Sequence, residues 1–243
     1  MTNMKPKKQG AIKHLFRKWG VKDYIRQLSV VIIGIVITFT GSDAIMNHSR
    51  QKELKQIMEM VKLELEDNLQ TLHTIESRLQ RERAAFQNIQ NNIQDLDAIP
   101  TDTILKYGSV PGNVMNYFFR TQSLDVLKTS GIISQIKDKE FLRNIFGCYV
   151  SLQYVEESAN GYYTDKKDAT FSWLYSLSTE KAGEIMGGEN QELRILHWWH
   201  SILKNDESRN FFLNAPGNLE TVLIDCNNAE NTLLKTLSDF EKQ

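Results

Sequence analysis

LSVVIIGIVITF, residues 28–39, opens a stretch that continues without proline as far as Pro100 and that organises the rest of the chain. The run carries no charge, and extending it to residues 24–46 gives the roughly 20 residues that cross a bilayer. We therefore predict one transmembrane helix over residues 24–46. Its apolar side chains are Leu28, Val30, Val31, Ile32, Ile33, Ile35, Val36, Ile37 and Phe39.

Three interpretations of this run remain open on the residues alone. It could be a signal anchor, a signal peptide cleaved near Ser42-Asp-Ala44, which matches the small-x-small pattern, or a buried core helix. The 27 residues before the run are long for a signal peptide, and the lack of charge from Leu28 to Ser42 disfavours a core helix. These observations favour the anchor.

The charge distribution predicts an orientation. Eight basic residues and one acid precede Leu28, so this segment is +7; since the whole chain is −1, the remainder carries −8. Lys and Arg next to a span stay on the cytoplasmic side. We predict a basic cytoplasmic tail over residues 1–23, with a juxtamembrane amphipathic helix over 11–19, and an external domain. The basic character is confined to the tail, so we expect no nucleic-acid binding.

A seam of apolar residues at alternating spacings of three and four follows the apolar run and predicts a long amphipathic helix over residues 47–97. Asn68 and Glu82 are its two polar members. Either the seam forms a homomeric coiled coil in which Asn68 fixes the register, or it packs against the chain's own C-terminal domain with both polar residues at its edge. The leucines off the strict seam, Leu63 and Leu69, favour the second arrangement. The seam is Leu54, Met58, Val61, Leu65, Asn68, Leu72, Ile75, Leu79, Glu82, Phe86, Ile89, Ile93 and Leu96.

Residues 98–243 predict a helical domain, so the fold class is all-α. An aromatic cluster at 116–119 is assigned to the core, and a short helix over 121–128 is stopped by Gly131, which suits a left-handed position. Asp138 is expected to cap a helix that runs to about Ser178 with a break near Gly161. Further helices are predicted over 191–204 and, after a break at Pro216-Gly217, over 219–240.

Two blocks carry a family resemblance: LSVVIIGIVIT (28–38) with LELEDNL (63–69), and SLDVLKTSG (123–131) with IKDKE (136–140) and Arg143-Asn144. They resemble an uncharacterised family of single-pass membrane proteins common in Bacteroidota-type bacteria, with a short anchor, a long helix and an LKSSG…IKNKELRN block. The chain departs from that pattern at GSDA (41–44), where the family often has NNWN, and at Phe141. The resemblance covers residues 24–154 and implies a bacterial inner-membrane protein, without implying an activity. In such a protein the orientation predicted from charge would put the external domain in the periplasm.

Candidate chemistry is sparse. His197 and His200 share a helix face and could both reach one metal ion, but no third ligand is defined; the alternative is that Trp198 and Trp199 simply pack in the core or at a partner surface. Cys148 and Cys226 are the only cysteines and form a candidate disulfide, or else two buried thiols.

No Walker A, GxSxG, GxGxxG, HExxH or CxxC pattern is present. We therefore expect no enzyme and no cofactor. The function predicted from these features is a structural or protein-interaction module. Its partners would be membrane lipid and either another protein or a second copy that binds the long helix. The alternative is a sensor-like ligand-binding helical module that relays to a partner protein.

Overall fold

The computed structural model describes residues 21–92, 95, 98–175, 177–187 and 190–242; within its helices it does not describe the side chains of 21–25, 27, 36–45, 173 and 186. In this part of the chain there are seven α-helices, one 3₁₀ helix and no β-strand, which confirms the all-α class. The helices are α1 (Val21–Asn91), α2 (Thr101–Lys106), α3 (Gln122–Thr129), a 3₁₀ turn (Ile132–Gln135), α4 (Lys139–Tyr175), α5 (Thr179–Met186), α6 (Gln191–Lys204) and α7 (Asp206–Phe240).

The chain divides into two compact units, Met1–Gln56 and Ile57–Gln243. Helix α1 contributes residues to both. The predicted tail and its amphipathic helix over 11–19 lie outside the described residues. Helix α1 ends at Asn91, somewhat before the predicted end at 97.

The predicted transmembrane helix over residues 24–46 lies in the first unit, and the structure describes part of it. Among the residues that the structure describes, no helix is both long and apolar enough to cross a membrane. Of the predicted span over 24–46, only the side chains of Arg26, residues 28–35 and Met46 are described; Val36, Ile37 and Phe39 lie outside. The six described aliphatic residues of the predicted anchor are all exposed: Leu28, Val30, Val31, Ile32, Ile33 and Ile35.

Three long helices form the core of the second unit: α1 from Ile57 onward, α4 and α7. Glu64 of α1 contacts Tyr149 of α4, and Glu82 contacts Lys166, so α1 and α4 run in the same direction. Helix α7 runs against both, because His73 bonds to Glu230 and, further along α1, the Phe86 ring stacks on Phe212 with centroids 4.8 Å apart. Cys148 of α4 likewise contacts Thr232 of α7, and Ala169 contacts Ser208.

The α1 seam packs within the chain. Every seam position from Val61 to Ile89 is buried, Asn68 and Glu82 included. The intramolecular arrangement predicted from Leu63 and Leu69 therefore holds for this part of α1. The prediction that the two polar residues sit at the edge of the seam was wrong, since their side chains are 1% and 2% exposed.

Two predicted helix breaks do not occur, because tertiary packing outweighs the local signal. Helix α4 passes through Gly161, and α7 passes through Pro216. Proline inside a helix costs about 3 kcal/mol through a lost hydrogen bond and a ring clash. Residues Phe212, Ala215 and Leu219 around it are fully buried, and such burial stabilises by about 25 cal/mol per Å² of apolar surface. By contrast, the expected left-handed Gly131 (φ 70°) and the Asp138 cap, which accepts from the Phe141 N–H, are confirmed.

Candidate functional site: a clamped crossover and its groove

The parallel order of α1 and α4 requires the chain to return along the bundle between them. Residues 113–121, which have neither helix nor strand structure, make this return; we call them the crossover segment. A backbone outside regular structure has no ladder to satisfy its N–H and C=O groups, and leaving such groups buried and unpaired is costly. In this bundle, side chains of α1 and α4 supply the missing partners.

Two asparagines each hold one crossover residue by both of its backbone groups. Asn68 of α1 donates to the Arg120 carbonyl (2.8 Å) and accepts from the Arg120 N–H (2.9 Å). Asn160 of α4 does the same for Tyr117, at 3.0 and 2.8 Å. The amide side chain carries a donor and an acceptor, as a peptide group does, so each asparagine replaces one rung of a β-ladder.

Two carboxylates continue the clamp. Glu156 accepts from the Phe119 N–H (3.1 Å), and Glu64 accepts from the Ser123 N–H (2.9 Å). Asn160 and Glu156 lie about one helical turn, roughly 6 Å, apart, which matches the rise of two residues of extended chain. Glu64 lies outside the apolar seam of α1, where the sequence predicts a solvated carboxylate. That prediction was wrong, because Glu64 accepts from the Tyr149 hydroxyl (2.7 Å) and is 6% exposed.

A buried ionic cluster closes the other end of the clamp. The Lys166 ammonium is fully buried and lies 2.7 Å from the Glu82 carboxylate and 2.8 Å from the Asn113 carbonyl. Glu82 also accepts from the hydroxyls of Tyr163 (2.8 Å) and Tyr162 (3.1 Å). Both carboxylate oxygens and the ammonium are thus occupied by protein groups, which suits a structural lock.

The cluster shifts the pKa values of its members. Burial lowers the pKa of Lys166 to about 8, although the Glu82 carboxylate acts in the opposite direction. Burial, reinforced by the Glu82 charge, raises the pKa of Tyr162 and Tyr163 far above the ordinary value near 10. The pKa of Tyr149 rises for the same reasons, with Glu64 as the charged neighbour. Burial disfavours the charged form of each group, so it lowers the pKa of the lysine and raises the pKa of the tyrosines.

A groove opens beside the clamp, between α4 and the chain from Phe118 to Lys128. It has a volume of about 490 Å³. Its walls include Phe118, Phe119, Leu124, Phe146 and Val150. Phe118 is 68% exposed while its neighbour Tyr117 is buried, so the assignment of the aromatic cluster at 116–119 to the core holds for Tyr117 and was wrong for Phe118. Hereafter we call this feature the docking groove.

The predicted histidine pair lies on α6. Trp198 and Trp199 between the histidines are buried, and the Trp199 indole donates to the Gly108 carbonyl at 3.3 Å. His197 is exposed and His200 half-buried. The described residues contain no group of three or more side chains that could hold a metal ion. The tryptophans therefore pack α6 onto the turn that follows α2.

The two cysteines are separate, buried thiols. The Cys148 thiol lies opposite the Thr232 carbonyl (3.6 Å), six residues from Cys226 on α7. Six helical residues correspond to about 9 Å along the axis, beyond the Cα separation that a disulfide bridges. Burial raises the pKa of both thiols, that of Cys226 to about 12.

Sequence reasoning missed most of this site. Asn68 and Glu82 were visible as polar interruptions of an apolar seam, but the sequence did not show that both are buried in the intramolecular packing or which groups they contact. Asn160, Glu156 and Lys166 have no such signal, because the surrounding helix is rich in polar residues. Comparison with protein-family models, with curated proteins and with solved structures gave no significant match.

Proposed function

We propose that this chain is a single-pass membrane protein whose helical domain docks a protein partner and does not act as an enzyme. In this proposal residues 24–46 anchor it, the basic tail faces the cytoplasm, and the Ile57–Gln243 unit lies in the periplasm of a bacterium. The resemblance of residues 24–154 to single-pass bacterial membrane proteins is consistent with this arrangement, and membership of that family is part of the proposal.

The observation that carries the anchoring is the exposed aliphatic band of α1. At about 100° per residue, Leu28, Val30, Val31, Ile32, Ile33 and Ile35 point in all directions around the helix, with no gap above roughly 100°. An amphipathic helix that packs on a protein shows one apolar stripe, whereas an apolar surface on all sides suits lipid. The net charge of +7 before Leu28 supports the orientation.

The docking role is supported by the clamped crossover and its groove. Most buried polar groups of the second unit satisfy one another, the exceptions among the described residues being the Arg83 Nε and the Tyr117 hydroxyl. They therefore favour a rigid platform over reactive chemistry. The docking groove presents exposed apolar side chains on that platform, and exposed apolar clusters mark interaction surfaces.

Topology and fractionation test the anchor. A periplasm-active reporter is fused after Gln243, and membranes are washed with alkaline carbonate. We expect an active reporter and full-length protein in the washed membranes. The double variant Val31→Asp/Ile33→Asp should leave the membrane fraction, whereas Met60→Asp/Leu63→Asp, which changes two similarly exposed residues of α1, should stay.

Two results would overturn the proposal. A shortened product released from the membrane would mean cleavage near Ser42-Asp-Ala44. A reporter that is active only in the cytoplasm would show that the orientation is the reverse of the one proposed. The partners of the chain after residue 27, which carries a net charge of −8, would then be cytoplasmic.

A further inference from the structure

The docking groove presents its apolar residues on an immobilised backbone. Phe118 lies between Tyr117 and Phe119, whose backbone groups are held by Asn160 and Glu156. Ordering a flexible loop costs affinity when a ligand binds, and a pre-ordered residue avoids that cost. Phe118 is thus fixed in the bundle and yet 68% exposed. Packing within the chain does not explain such an exposed aromatic side chain.

Exposed apolar residues continue from Phe118 onto α4. Val150, which lines the same groove, is 51% exposed, and Tyr154, one turn further along α4, is 62% exposed. Leu124, which is buried, and Phe146, which is half-buried, line the same groove. Single exposed apolar residues are normal on protein surfaces, but a contiguous cluster at a groove is typical of a binding site.

The rim of the groove is acidic. Asp125, Glu156 and Glu157 line it together with one base, Lys128. In the part of the chain that the structure describes, none of the three carboxylates forms an ion pair; Glu157 accepts from the Gln153 amide, and Lys128 lies over the Phe146 ring at 5.9 Å. The rim therefore carries a formal charge of about −2 that the protein itself leaves unbalanced.

The net charge of the chain indicates whether the groove binds another protein or a second copy of this chain. The chain after residue 27 carries −8, so a second copy would bring like charge to an acidic rim. Juxtaposed like charges disfavour association, and complementary charges favour it. We infer that the docking groove binds a peptide segment of another protein in which an aromatic or branched aliphatic side chain adjoins Lys or Arg. This inference rests on the docking role proposed above and names its ligand class.

Peptide selection on the full-length protein tests it. The probe is a displayed library of random dodecapeptides, applied to the protein in lipid nanodiscs, with empty nanodiscs and the Phe118→Ala protein used to remove unrelated binders. We expect the remaining peptides to be enriched in an aromatic or branched aliphatic residue next to Lys or Arg. A labelled consensus peptide is then titrated against variants.

Variants inside and outside the docking groove test whether the peptide binds at the groove or elsewhere on the surface. Phe118→Ala and Asp125→Lys/Glu157→Lys should each weaken binding at least tenfold, and 0.5 M NaCl should weaken it further. Tyr175→Ala, at an aromatic residue that is 77% exposed, and Glu241→Lys, at an exposed carboxylate outside the groove, should leave binding unchanged. Helical circular dichroism verifies that each variant is folded.

Three results would overturn the inference: no Phe118-dependent peptide, enrichment of acidic peptides, or self-association of the protein that Phe118→Ala abolishes. Because the assay uses purified protein in nanodiscs, its outcome does not depend on where the protein resides in the cell. A negative result here would leave the anchoring proposal standing, and a failed topology test would leave this one standing.

Discussion

At the scale of single residues, the Glu82–Lys166 pair makes the sharpest energetic prediction. Removing one partner of a buried ion pair leaves an uncompensated charge and costs about 3–5 kcal/mol. Glu82→Gln leaves the Lys166 ammonium without a carboxylate and should lower the free energy of unfolding by about that amount. Lys166→Met should cost less, because the Arg78 guanidinium, 4.0 Å from the Glu82 carboxylate, remains as a counter-charge. The double variant should cost less than the sum of the two. Denaturant titrations followed by circular dichroism measure this cycle.

The matched control for that cycle is the exposed pair of Arg143 and Glu140, whose side chains are 78% and 73% exposed. Such pairs contribute about 1 kcal/mol or less. A loss of under about 1 kcal/mol for Lys166→Met would contradict the view that the cluster locks the crossover segment.

The buried tyrosines predict how stability depends on pH. The pKa values of Tyr149, Tyr162 and Tyr163 in the folded protein lie above the unfolded value near 10. These tyrosines therefore leave the free energy of unfolding unchanged below about pH 10 and lower it as the pH rises further.

The lowered pKa of Lys166 has the opposite effect. Between about pH 8 and 10.5 the lysine holds its proton more tightly in the unfolded chain than in the folded protein, so the free energy of unfolding rises with pH over this range. Burial also raises the pKa of Cys148 and Cys226 above the unfolded value near 9, so these two thiols reduce stability above about pH 9 and outweigh the single lysine. Stability should therefore rise from about pH 8 to a maximum near pH 9 and then fall.

Absorbance at 295 nm tests this on the eight tyrosines of the chain. Tyr149, Tyr162 and Tyr163 should ionise only together with the loss of helical circular dichroism. Titration of all eight near pH 10 with helicity intact would show that these phenols are accessible to water.

At the scale of elements, the crossover segment depends on its asparagine clamps. Asn68→Ala would remove the partner of the part-buried Arg120 N–H and C=O. A fully buried group left unpaired costs about 1–3 kcal/mol, and water can replace part of that loss at this exposed residue. We expect faster hydrogen exchange at the Arg120 amide and a loss of about 1 kcal/mol or more. The Tyr117 amide, held by Asn160, should be affected less.

Asn231→Ala is the control for this experiment, because Asn231 is exposed and, among the described residues, its side chain donates to Asn227 one turn away. Its effect on stability should stay within about 0.5 kcal/mol. Unchanged exchange at Arg120 in the Asn68 variant would mean that the clamp contributes little to the order of the crossover segment.

At the scale of the whole molecule, the parallel α1–α4 pair sets the length of the connection between them. Glu64 and Glu82 lie 18 residues apart on α1, which is about 27 Å. Residues 113–123, held near these two levels, reach at most about 33–36 Å. Deleting Val114 and Met115 shortens the reach to about 26–29 Å and removes the slack.

We expect this deletion to abolish the cooperative thermal transition of the second unit. Insertion of two glycines between Gly112 and Asn113 should lower the melting temperature by only a few degrees, because loop closure entropy grows slowly with length. Calorimetry on the full-length protein distinguishes them, and equal effects of the two changes would show that the segment is not under length constraint.

Local patterns were sufficient to predict the all-α class, the α1 seam, Gly131 after α3 and Asp138 before α4. These features follow from periodicity and from contacts within a few residues. Packing between distant parts of the chain sets the directions of Asn68, Glu82 and Glu64, keeps Pro216 within a helix and leaves Phe118 exposed. The partners involved lie 52 to 85 residues apart in the chain, and no local pattern encodes such pairings.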